Sequence, residues 1–526
     1  MARTHEPHKG KPGAKPRRTN SGSAAGFGVG FGEKSHNPAP DRKRVPAEAR
    51  DSTRGRSFTQ NRPPKAAAGP KGGEAAPGKA AEKPVARGRA TSPGAVISRR
   101  ASDRLRNGHV WVYASELESV ELGAGELGAE PSLLPVADNR GILLGTALYS
   151  PASQIALRMV SREAIDEPQW LELLAARLHA AIARRAALLS PLDGNSDSCR
   201  LCFSEADELP GLVVDKYADL VVLQLLTKGL NSAAVRDTCV RVLREELGAK
   251  RGAAKKPRDS ASLPVKAIPV TTIIERPDPR IRELEALPAP SPEPLWAADE
   301  DSPKTQTQFL LNGLKFFYDA NSGQKTGAFL DQRMNYAAAA EWAERLGATG
   351  RALDVCTYQG GFALHLARVS KSVTGIDASH ASLEVAEQNL EANRAALSAE
   401  VDWVEADAFE ILRDWSAAGQ QFDTIVLDPP AFAKSLRAVE GALRGYKELN
   451  LRALKMLRPG GLLITCSCSH HVGWADLEGA VAAAAADAGA RVRLLERRGA
   501  ALDHPVVLNL AETEYLKCLL LEKGRD

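Results

Sequence analysis

The feature that most constrains the fold is the alternation of short apolar runs with longer helical patterns from Gln324 onward. Such alternation is typical of units in which parallel strands are joined by helices. The sequence therefore predicts an α/β fold built on a doubly wound parallel sheet. The candidate strands span residues 351–355, 373–377, 401–404, 424–428, 462–466 and 514–521.

Two polar segments directly follow apolar, β-prone runs of this region. Asp428 to Phe432 reads Asp-Pro-Pro-Ala-Phe, and Thr465 to Ser469 reads Thr-Cys-Ser-Cys-Ser. Ligands of open α/β sheets bind at the carboxyl ends of the strands. We therefore expect a carboxylate and a thiol to meet over one substrate, an arrangement suited to covalent attack on a heterocyclic ring.

A candidate nucleotide site begins at the first strand of the alternation. The run from Arg351 to Phe362 reads as a strand, a Gly-containing turn and a helix start, without the G-x-G-x-x-G fingerprint of dinucleotide sites. Gly360 and Gly361 allow a ligand to approach the backbone closely. We expect Asp354 to face the amino-acid portion of the ligand through this turn.

Two more acids follow the next two strands. Asp377 ends one of them, where a carboxylate can accept both ribose hydroxyls of an adenosine. Asp407 follows the other and is placed to meet the adenine amino group. In this order and spacing the residues resemble those of class I S-adenosylmethionine-dependent methyltransferases. The alternative interpretation is another nucleotide-binding Rossmann-like enzyme.

The pairing of a carboxylate with a thiol points to pyrimidine chemistry. C5 of cytosine or uracil is a poor nucleophile until a thiolate adds at C6. The addition also needs an acid beside N3 and a base that removes the C5 proton. Asp428 is the candidate acid. Strand alternation sends Cys466 and Cys468 to the same side, and we favour Cys468 because it is nearer the open end of the strand.

Other interpretations of the same residues stay open. Both cysteines are also explained as small buried side chains. Methyltransferases that act on amino nitrogens often carry Asp-Pro-Pro followed at once by an aromatic residue, whereas here Ala431 precedes Phe432. An amino-directed RNA methyltransferase and a catalytically silent RNA-binding assembly factor are therefore the alternative functions.

Composition indicates the compartment. Seven cysteines in 526 residues are too few for a disulfide scaffold and are typical of a reducing compartment. The chain lacks a run of about eighteen apolar residues, and its first residues lack the apolar segment of a secretory signal. We expect a cytoplasmic protein without a membrane segment. Cys199 and Cys202 have CxxC spacing without a second pair, so no metal site is predicted.

Positive charge is concentrated in residues 1–93. They hold 20 Lys and Arg against 7 Asp and Glu, a net charge of +13, whereas the whole chain has +4. Gly, Pro, Ala and Ser are abundant and three Phe are the only aromatic residues, so we predict a disordered basic tail. A flexible cationic arm adds affinity for a nucleic-acid backbone, and a solubilising extension is the alternative.

Two smaller units are predicted between the tail and the alternating region at 321–526. Residues 94–164 contain short strand-like runs broken by Gly, Asn and Pro, which predict a small β-barrel. Residues 165–320 predict an α+β unit with loop insertions near 250–264 and 288–305. Its predicted elements are a helix from Pro168 to about Leu189, strands at 211–215 and 220–225, a helix at roughly 231–247 and an apolar run at 273–274.

From residue 95 onward the chain resembles one family. It is similar to the ribosomal RNA large subunit methyltransferase I family, which joins a PUA domain, an α+β middle domain and a Rossmann-like methyltransferase domain. The resemblance rests on the runs Arg106 to Tyr113, Leu148 to Arg158, Glu205 to Tyr217, Gly323 to Arg333, Asp428 to Lys434, Gly445 to Asn450 and Ser467 to Ser469. Three positions depart from it: glycine is usual at Glu208 and Ala286, and an acid is common at Leu311.

The resemblance implies an enzyme that forms 5-methylcytosine in 23S rRNA or a large-subunit assembly intermediate, with S-adenosyl-L-methionine as cofactor. It also favours Cys468, in the Ser-Cys-Ser run, as the thiol. The implied donor site comprises Asp354, Gly360, Gly361, Asp377 and Asp407, with Gln324, Lys325 and Thr326 closing over it. The sequence leaves open which nucleotide is modified and whether the protein forms a homodimer.

Overall fold

The computed structural model describes residues 94–122, 132–189, 195–248, 268–321 and 327–525. The predicted basic tail and the predicted loop near 250–264 lie outside these ranges. Within them, no helix combines the length and the apolar character needed to cross a membrane.

The first unit is a six-stranded mixed sheet with one helix. Its elements are β1 (Gly94–Ile97), α1 (Arg99–Arg106), β2 (Trp111–Tyr113), β3 (Leu117–Glu121), β4 (Leu133–Asp138), β5 (Leu143–Tyr149) and β6 (Ile155–Ser161). The strand order is β2-β6-β5-β4-β1-β3. The side chain of Ser98 caps α1 by accepting a hydrogen bond from the Ala101 amide. Apolar side chains from β1, α1, β4 and β5 form the core of this unit.

The second unit packs two long helices on a five-stranded sheet. Its elements are α2 (Glu167–Leu189), β7 (Ser198–Phe203), β8 (Leu212–Tyr217), β9 (Leu220–Leu225), α3 (Ala233–Leu247), β10 (Thr272–Glu275), α4 (Pro279–Leu284) and β11 (Trp296–Ala297). The order is β11-β10-β9-β8-β7, and only the β9–β10 pair is parallel. The α+β prediction is confirmed, although the loop predicted near 288–305 also contains the short strand β11.

A hairpin follows, formed by β12 (Gln306–Leu311) and β13 (Leu314–Asp319). Both turn residues have positive φ, 52° at Asn312 and 81° at Gly313, as an Asn-Gly hairpin turn requires. The buried face of the hairpin packs in one cluster with side chains of the second unit and of the sheet that follows. The boundary near residue 320 between the second and third units stays a prediction.

The third unit is the predicted doubly wound sheet. Its strands are β14 (Arg351–Val355), β15 (Ser372–Asp377), β16 (Glu400–Glu405), β17 (Phe422–Leu427), β18 (Leu457–Ser467), β19 (Val492–Arg498) and β20 (Lys517–Lys523). Its helices are α5 (Arg333–Leu346), α6 (Gly361–Leu366), α7 (His380–Asn393), α8 (Ala408–Ala417), α9 (Val439–Met456) and α10 (Trp474–Asp487).

The strand order of this sheet is β16-β15-β14-β17-β18-β20-β19. The first five strands in this order are parallel, and β20 runs antiparallel to both of its neighbours. The six predicted strands are all present. The strand β19 was not predicted, because this strand lies at the sheet edge and carries three arginines and a glutamate. The order reverses between β14 and β17, where ligands of such sheets bind.

The two positions where the resemblance implies glycine have left-handed backbone. Glu208 has φ of 60° and Ala286 has φ of 51°. This conformation costs a residue with a Cβ atom roughly 1–2 kcal/mol, whereas glycine adopts it freely. The usual glycine at both positions is thereby explained, and this chain carries local strain in its place.

Replacing Ala286 with glycine should therefore stabilise the protein. Ala286 is exposed, so the substitution removes no buried contact. We expect Ala286→Gly to raise the free energy of unfolding by about 0.5–1 kcal/mol, the strain relieved less the extra unfolded-state entropy of glycine. Chemical denaturation measures the change. The control is Ala417→Gly at the exposed end of α8, where the backbone is helical and glycine should destabilise.

A buried ionic cluster joins the second and third units. Asp503, in the loop between β19 and β20, accepts a hydrogen bond from the Arg200 amide at 2.8 Å and lies 3.5 Å from the Arg333 guanidinium. Its carbonyl oxygen accepts from Arg185 at 2.8 Å. Burial alone would raise the pKa of Asp503, but Arg333 and His504 outweigh it and hold that pKa well below its usual range.

Neutralising this carboxylate should be costly. Asp503→Asn removes a buried negative charge from beside the buried Arg333 guanidinium, so we expect a loss of about 3–5 kcal/mol in the free energy of unfolding. Asp487→Asn is the matched control, because Asp487 and its partner Lys447 are half exposed and such pairs contribute about 1 kcal/mol or less. Since the folded pKa of Asp503 is depressed, the stabilisation should be lost progressively as pH falls below about 4 in the wild type and not in the variant.

Candidate active site

A cavity of about 290 Å³ lies at the carboxyl ends of the parallel strands. Residues that directly follow β14, β15, β16, β17 and β18 form its wall. The acidic lining residues are Asp331, Asp377, Asp407 and Asp428, and the aromatic ones are Phe329, Tyr336, Tyr358, Phe362, Phe409 and Phe432. Cys468, Gln332 and Thr357 contribute further polar groups. The cavity combines flat apolar surfaces with carboxylates, which suits a ligand with rings, hydroxyls and positive charge.

The turn after β14 forms one side of the cavity. Cys356 and Tyr358 have φ of 62° and 52°, and Gly360 has φ of 85°. The carboxylate of Asp354 lies behind the turn, where it accepts hydrogen bonds from the Thr357 hydroxyl at 2.6 Å and the Ala363 amide at 2.9 Å. Burial raises the pKa of Asp354 to about 7, although both hydrogen bonds oppose the rise. Asp354 therefore braces the turn from behind and is not among the lining residues.

The two glycines of the turn are required by neighbouring aromatic rings. A Cβ atom on Gly361 would lie 2.4 Å from Cζ of Tyr336, and one on Gly360 would lie 3.0 Å from Cη2 of Trp403. Like Asp354, neither glycine is among the residues that line the cavity. Their place in the turn matches the prediction, while the groups that approach them are side chains of the protein itself.

Asp377 and Asp407 both line the cavity. The Asp377 carboxylate accepts from the amides of Tyr358 and Ser379, each at 2.9 Å. Asp407 caps α8 by accepting from the amides of Phe409 and Glu410 at 2.9 and 3.1 Å. A carboxylate has about four acceptor positions, so both retain capacity for hydroxyl or amino donors of a ligand.

Gln324, Lys325 and Thr326 lie outside the described residues. The described chain resumes at Gly327, whose carbonyl oxygen accepts from the Tyr358 hydroxyl at 2.9 Å. Phe329 then packs edge-on against Tyr358, with ring centroids 4.9 Å apart. The residues that follow the predicted closing segment are thus fixed against the wall of the cavity.

The structure separates the two candidate thiols. Cys468 lines the cavity, and its Sγ lies 3.9 Å from the carbonyl oxygen of Pro429. Cys466 is fully buried opposite Cys518 of β20, and burial raises the pKa of its thiol well above the usual value. Strand alternation alone could not separate the two, because it shows neither the end of β18 at Ser467 nor the buried apolar cluster in which Cys466 lies.

Asp428 lies across from Cys468 at the end of the neighbouring strand. Its Oδ2 accepts a hydrogen bond from Gln332 Nε2 at 2.9 Å. The Gln332 side chain is oriented in turn by Asn335 at 2.6 Å. Sequence reasoning did not assign Gln332, although the residue belongs to one of the runs that carry the family resemblance.

A second group missed from the sequence holds the segment around Cys468. The Tyr446 hydroxyl of α9 lies 2.9 Å from Ser467 Oγ and 3.1 Å from Ser469 Oγ. Ser469 Oγ also accepts from the Ala433 amide at 3.2 Å. The serines on both sides of the thiol therefore fix its position, and the run Ser-Cys-Ser was the signal for this role.

Fold and site together define a class. Residues 96–162 match the model of the PUA-like domain, and residues 290–520 match that of the S-adenosylmethionine-dependent methyltransferases. Two solved structures support the fold at 18% identity, and each aligns over 81% of this chain and 99% of its own. They are a putative methyltransferase complexed with SAH, with a TM-score of 0.63, and a putative SAM-dependent methyltransferase from Streptococcus mutans, with a TM-score of 0.62. The protein is a class I S-adenosylmethionine-dependent methyltransferase with a PUA-like domain.

Relatives with higher identity define the family. The ribosomal RNA large subunit methyltransferase I of Pseudoalteromonas translucida (strain TAC 125) is 34% identical over 420 residues, 79% of this chain and 96% of the relative. The ribosomal RNA large subunit methyltransferase of Deinococcus radiodurans is 36% identical over 433 residues, 81% of this chain and 96% of the relative. The chain belongs to the ribosomal RNA large subunit methyltransferase I family, and the predicted fold class and cofactor are confirmed.

Removing the Asp377 carboxylate should weaken binding of S-adenosylmethionine. We expect Asp377→Ala to cost roughly 1–3 kcal/mol of binding free energy, because hydrogen bonds to a charged acceptor are lost. Isothermal calorimetry with the folded variant measures the loss. Asp402→Ala, an exposed acid on β16, is the control for the change in charge. Unchanged affinity in Asp377→Ala would remove Asp377 from the donor site.

Proposed function

We propose that this protein methylates C5 of a cytosine in 23S rRNA through a covalent intermediate on Cys468, with Asp428 as the acid. The observation that carries the proposal is the shared cavity. A thiol and a carboxylate from adjacent strand ends line the same space as Asp377 and Asp407. The names of the relatives quoted above support ribosomal RNA of the large subunit as the substrate.

The donor would occupy one part of this cavity. Asp377 would accept the ribose hydroxyls, Asp407 the adenine amino group, and Tyr358 and Phe409 would flank the adenosine. S-adenosylmethionine supplies an electrophilic methyl group when bound. Carboxylates around a positively charged donor are favourable in a partly enclosed site, where water screens charges less.

The target base would occupy the part between Asp428 and Cys468. The thiolate adds to C6, the electron pair of the C5–C6 double bond moves into the ring, and protonated Asp428 gives its proton to N3. C5 is then nucleophilic and would take up the methyl group as the bond from that group to the donor sulfur breaks. A base removes the C5 proton, the electron pair restores the C5–C6 double bond, the thiolate leaves, and the N3 proton returns to Asp428. Gln332, bonded to Asp428, orients the acid.

The remaining units would hold the RNA. We assign residues 94–164 to RNA binding by the PUA-like domain, 165–320 to the middle domain and 321–526 to catalysis, with the basic residues 1–93 adding salt-dependent affinity. A base in a structured RNA must leave its stack to reach such a cavity. Protein-free 23S rRNA and a large-subunit assembly intermediate both satisfy this requirement, and either places the reaction in the cytoplasm.

An amino-directed methyltransferase is the second candidate. Phe432 lines the cavity despite the extra Ala431, so an aromatic ring is present beside Asp428 and the proline pair. Mass spectrometry of rRNA nucleosides from cells with and without this protein distinguishes the two. Loss of 5-methylcytosine supports the cysteine mechanism, whereas loss of an N-methylated purine supports the alternative.

The choice of thiol can be tested directly. Cys468→Ala should abolish turnover and leave donor binding intact, because the thiol contacts only the base. Cys466→Ala should retain substantial activity and lose only packing. RNA with 5-fluorocytosine at the target should trap a covalent adduct with the wild type, because fluorine cannot be removed as a proton. Peptide mapping that places the adduct on Cys466 would reverse the assignment, and no adduct on either thiol would favour the amino-directed enzyme.

A further inference from the structure

A buried lysine contacts the segment that carries the candidate nucleophile. Lys517 begins β20 and pairs with Ser467 of β18 in the antiparallel ladder. Only 2% of its surface is exposed, and its ammonium nitrogen donates to the carbonyl oxygen of Ser469 at 2.9 Å. Since Cys468 lies between these two serines, Lys517 reaches across the part of the chain that carries the thiol.

The segment does not need the lysine for its shape. The Ser469 carbonyl oxygen also accepts from the Val472 amide at 3.2 Å, and Tyr446 contacts both serine hydroxyls. Burying an ammonium group costs several kcal/mol of folding free energy. One additional hydrogen bond to a carbonyl oxygen stabilises the fold by less than this cost. A lysine at this position therefore calls for an electrostatic explanation.

Three ionisable groups lie near enough to act on the charge of Lys517: Glu514, Cys468 and Asp476. Among the described residues, no carboxylate lies within ion-pair distance of its ammonium group. Glu514 and Asp476 are exposed to solvent, which screens them, and each already accepts another hydrogen bond. Cys468 is the half-buried group of the three. Burial lowers the pKa of Lys517, so its charged form gains from a nearby anion.

We propose that Lys517 is a positioning residue whose ammonium group stabilises the thiolate of Cys468. The inference rests on the proposed function for the role of that thiolate. As the Sγ–C6 bond forms, negative charge leaves Sγ, and as the bond breaks, the same charge returns to it. A cation held at the backbone next to Cys468 raises the thiolate fraction before attack and makes the sulfur a better leaving group afterwards.

The test measures the thiol without RNA. The full-length protein is alkylated with iodoacetamide across a pH series, and the peptide containing Cys468 is quantified by mass spectrometry. In Lys517→Gln, which keeps a donor near Ser469 and loses the charge, the pH midpoint of alkylation should rise by roughly one unit or more. Lys517→Arg keeps the charge and should stay near the wild type. The acid limb of the pH–activity profile should shift in parallel.

Lys523→Gln is the matched control. Lys523 lies on the same strand and donates to the carbonyl oxygens of Leu454 and Leu457 at 2.8 and 2.6 Å, away from the thiol. Its substitution should not move the Cys468 midpoint. Thermal unfolding reports whether each variant folds, and Lys517→Met serves as the neutral variant if Lys517→Gln does not. An unchanged midpoint in the folded neutral variant overturns the inference.

The two proposals fail in different ways. A shifted midpoint without a 5-fluorocytosine adduct would leave the electrostatic role of Lys517 in place and remove the covalent mechanism. An adduct on Cys468 with an unshifted midpoint would support the covalent mechanism and overturn the electrostatic role of Lys517.

Discussion

The buried carboxylate of Asp503 is the interaction on which the arrangement of the site depends. It draws Arg333, at the start of α5, and the backbone of Arg200, on β7, to one loop. The same loop continues through Tyr515, whose hydroxyl donates to Asp331 at 2.5 Å, into β20. The ionic cluster and the loop that carries it thus connect three parts of the protein. These are the second unit, the cavity-lining residue Asp331 and the strand β20, which pairs with the strand that leads to the thiol.

Hydrogen bonds to two carboxylates stabilise the strained turn after β14. Cys356 and Tyr358 each hold a left-handed conformation that costs about 1–2 kcal/mol. Asp377 secures the Tyr358 amide, and Asp354 secures Thr357 between the two strained residues. Asp354 and Asp377, both predicted to contact the ligand, therefore also hold this wall of the cavity in its shape.

Strand periodicity made most of the third unit predictable, because buried parallel strands are nearly continuous apolar runs. The same principle explains why β19 was missed, since an edge strand with arginines at nearly half its positions has no such run. Strand ends also identified Asp377, Asp407, Asp428 and Cys468 as neighbours. They did not reveal that Asp354 is fully buried and accepts hydrogen bonds from Thr357 and Ala363, because the pattern of a strand does not show which groups of the following turn fold back against it.

The other features that could not be predicted from the sequence depend on contacts between distant parts of the chain. Cys466 differs from Cys468 because it lies in a buried apolar cluster together with its cross-strand neighbour Cys518, and the sequence of β18 alone does not show these neighbours. Lys517 is likewise inconspicuous in the sequence, where it reads as the polar start of an apolar strand. Only the antiparallel insertion of β20 brings its ammonium group to the Ser467–Ser469 segment.

The position of β20 between β18 and β19 also affects how the chain acquires its fold during synthesis. The ribosome releases β18 and then β19 before β20 exists, so the apolar strand that leads to the thiol initially has an edge without its final partner. Unpaired strand edges in nascent chains promote aggregation. A chain that stops before β20 would leave this edge of β18 without its partner and would lack Lys517, so incomplete copies would be prone to aggregation.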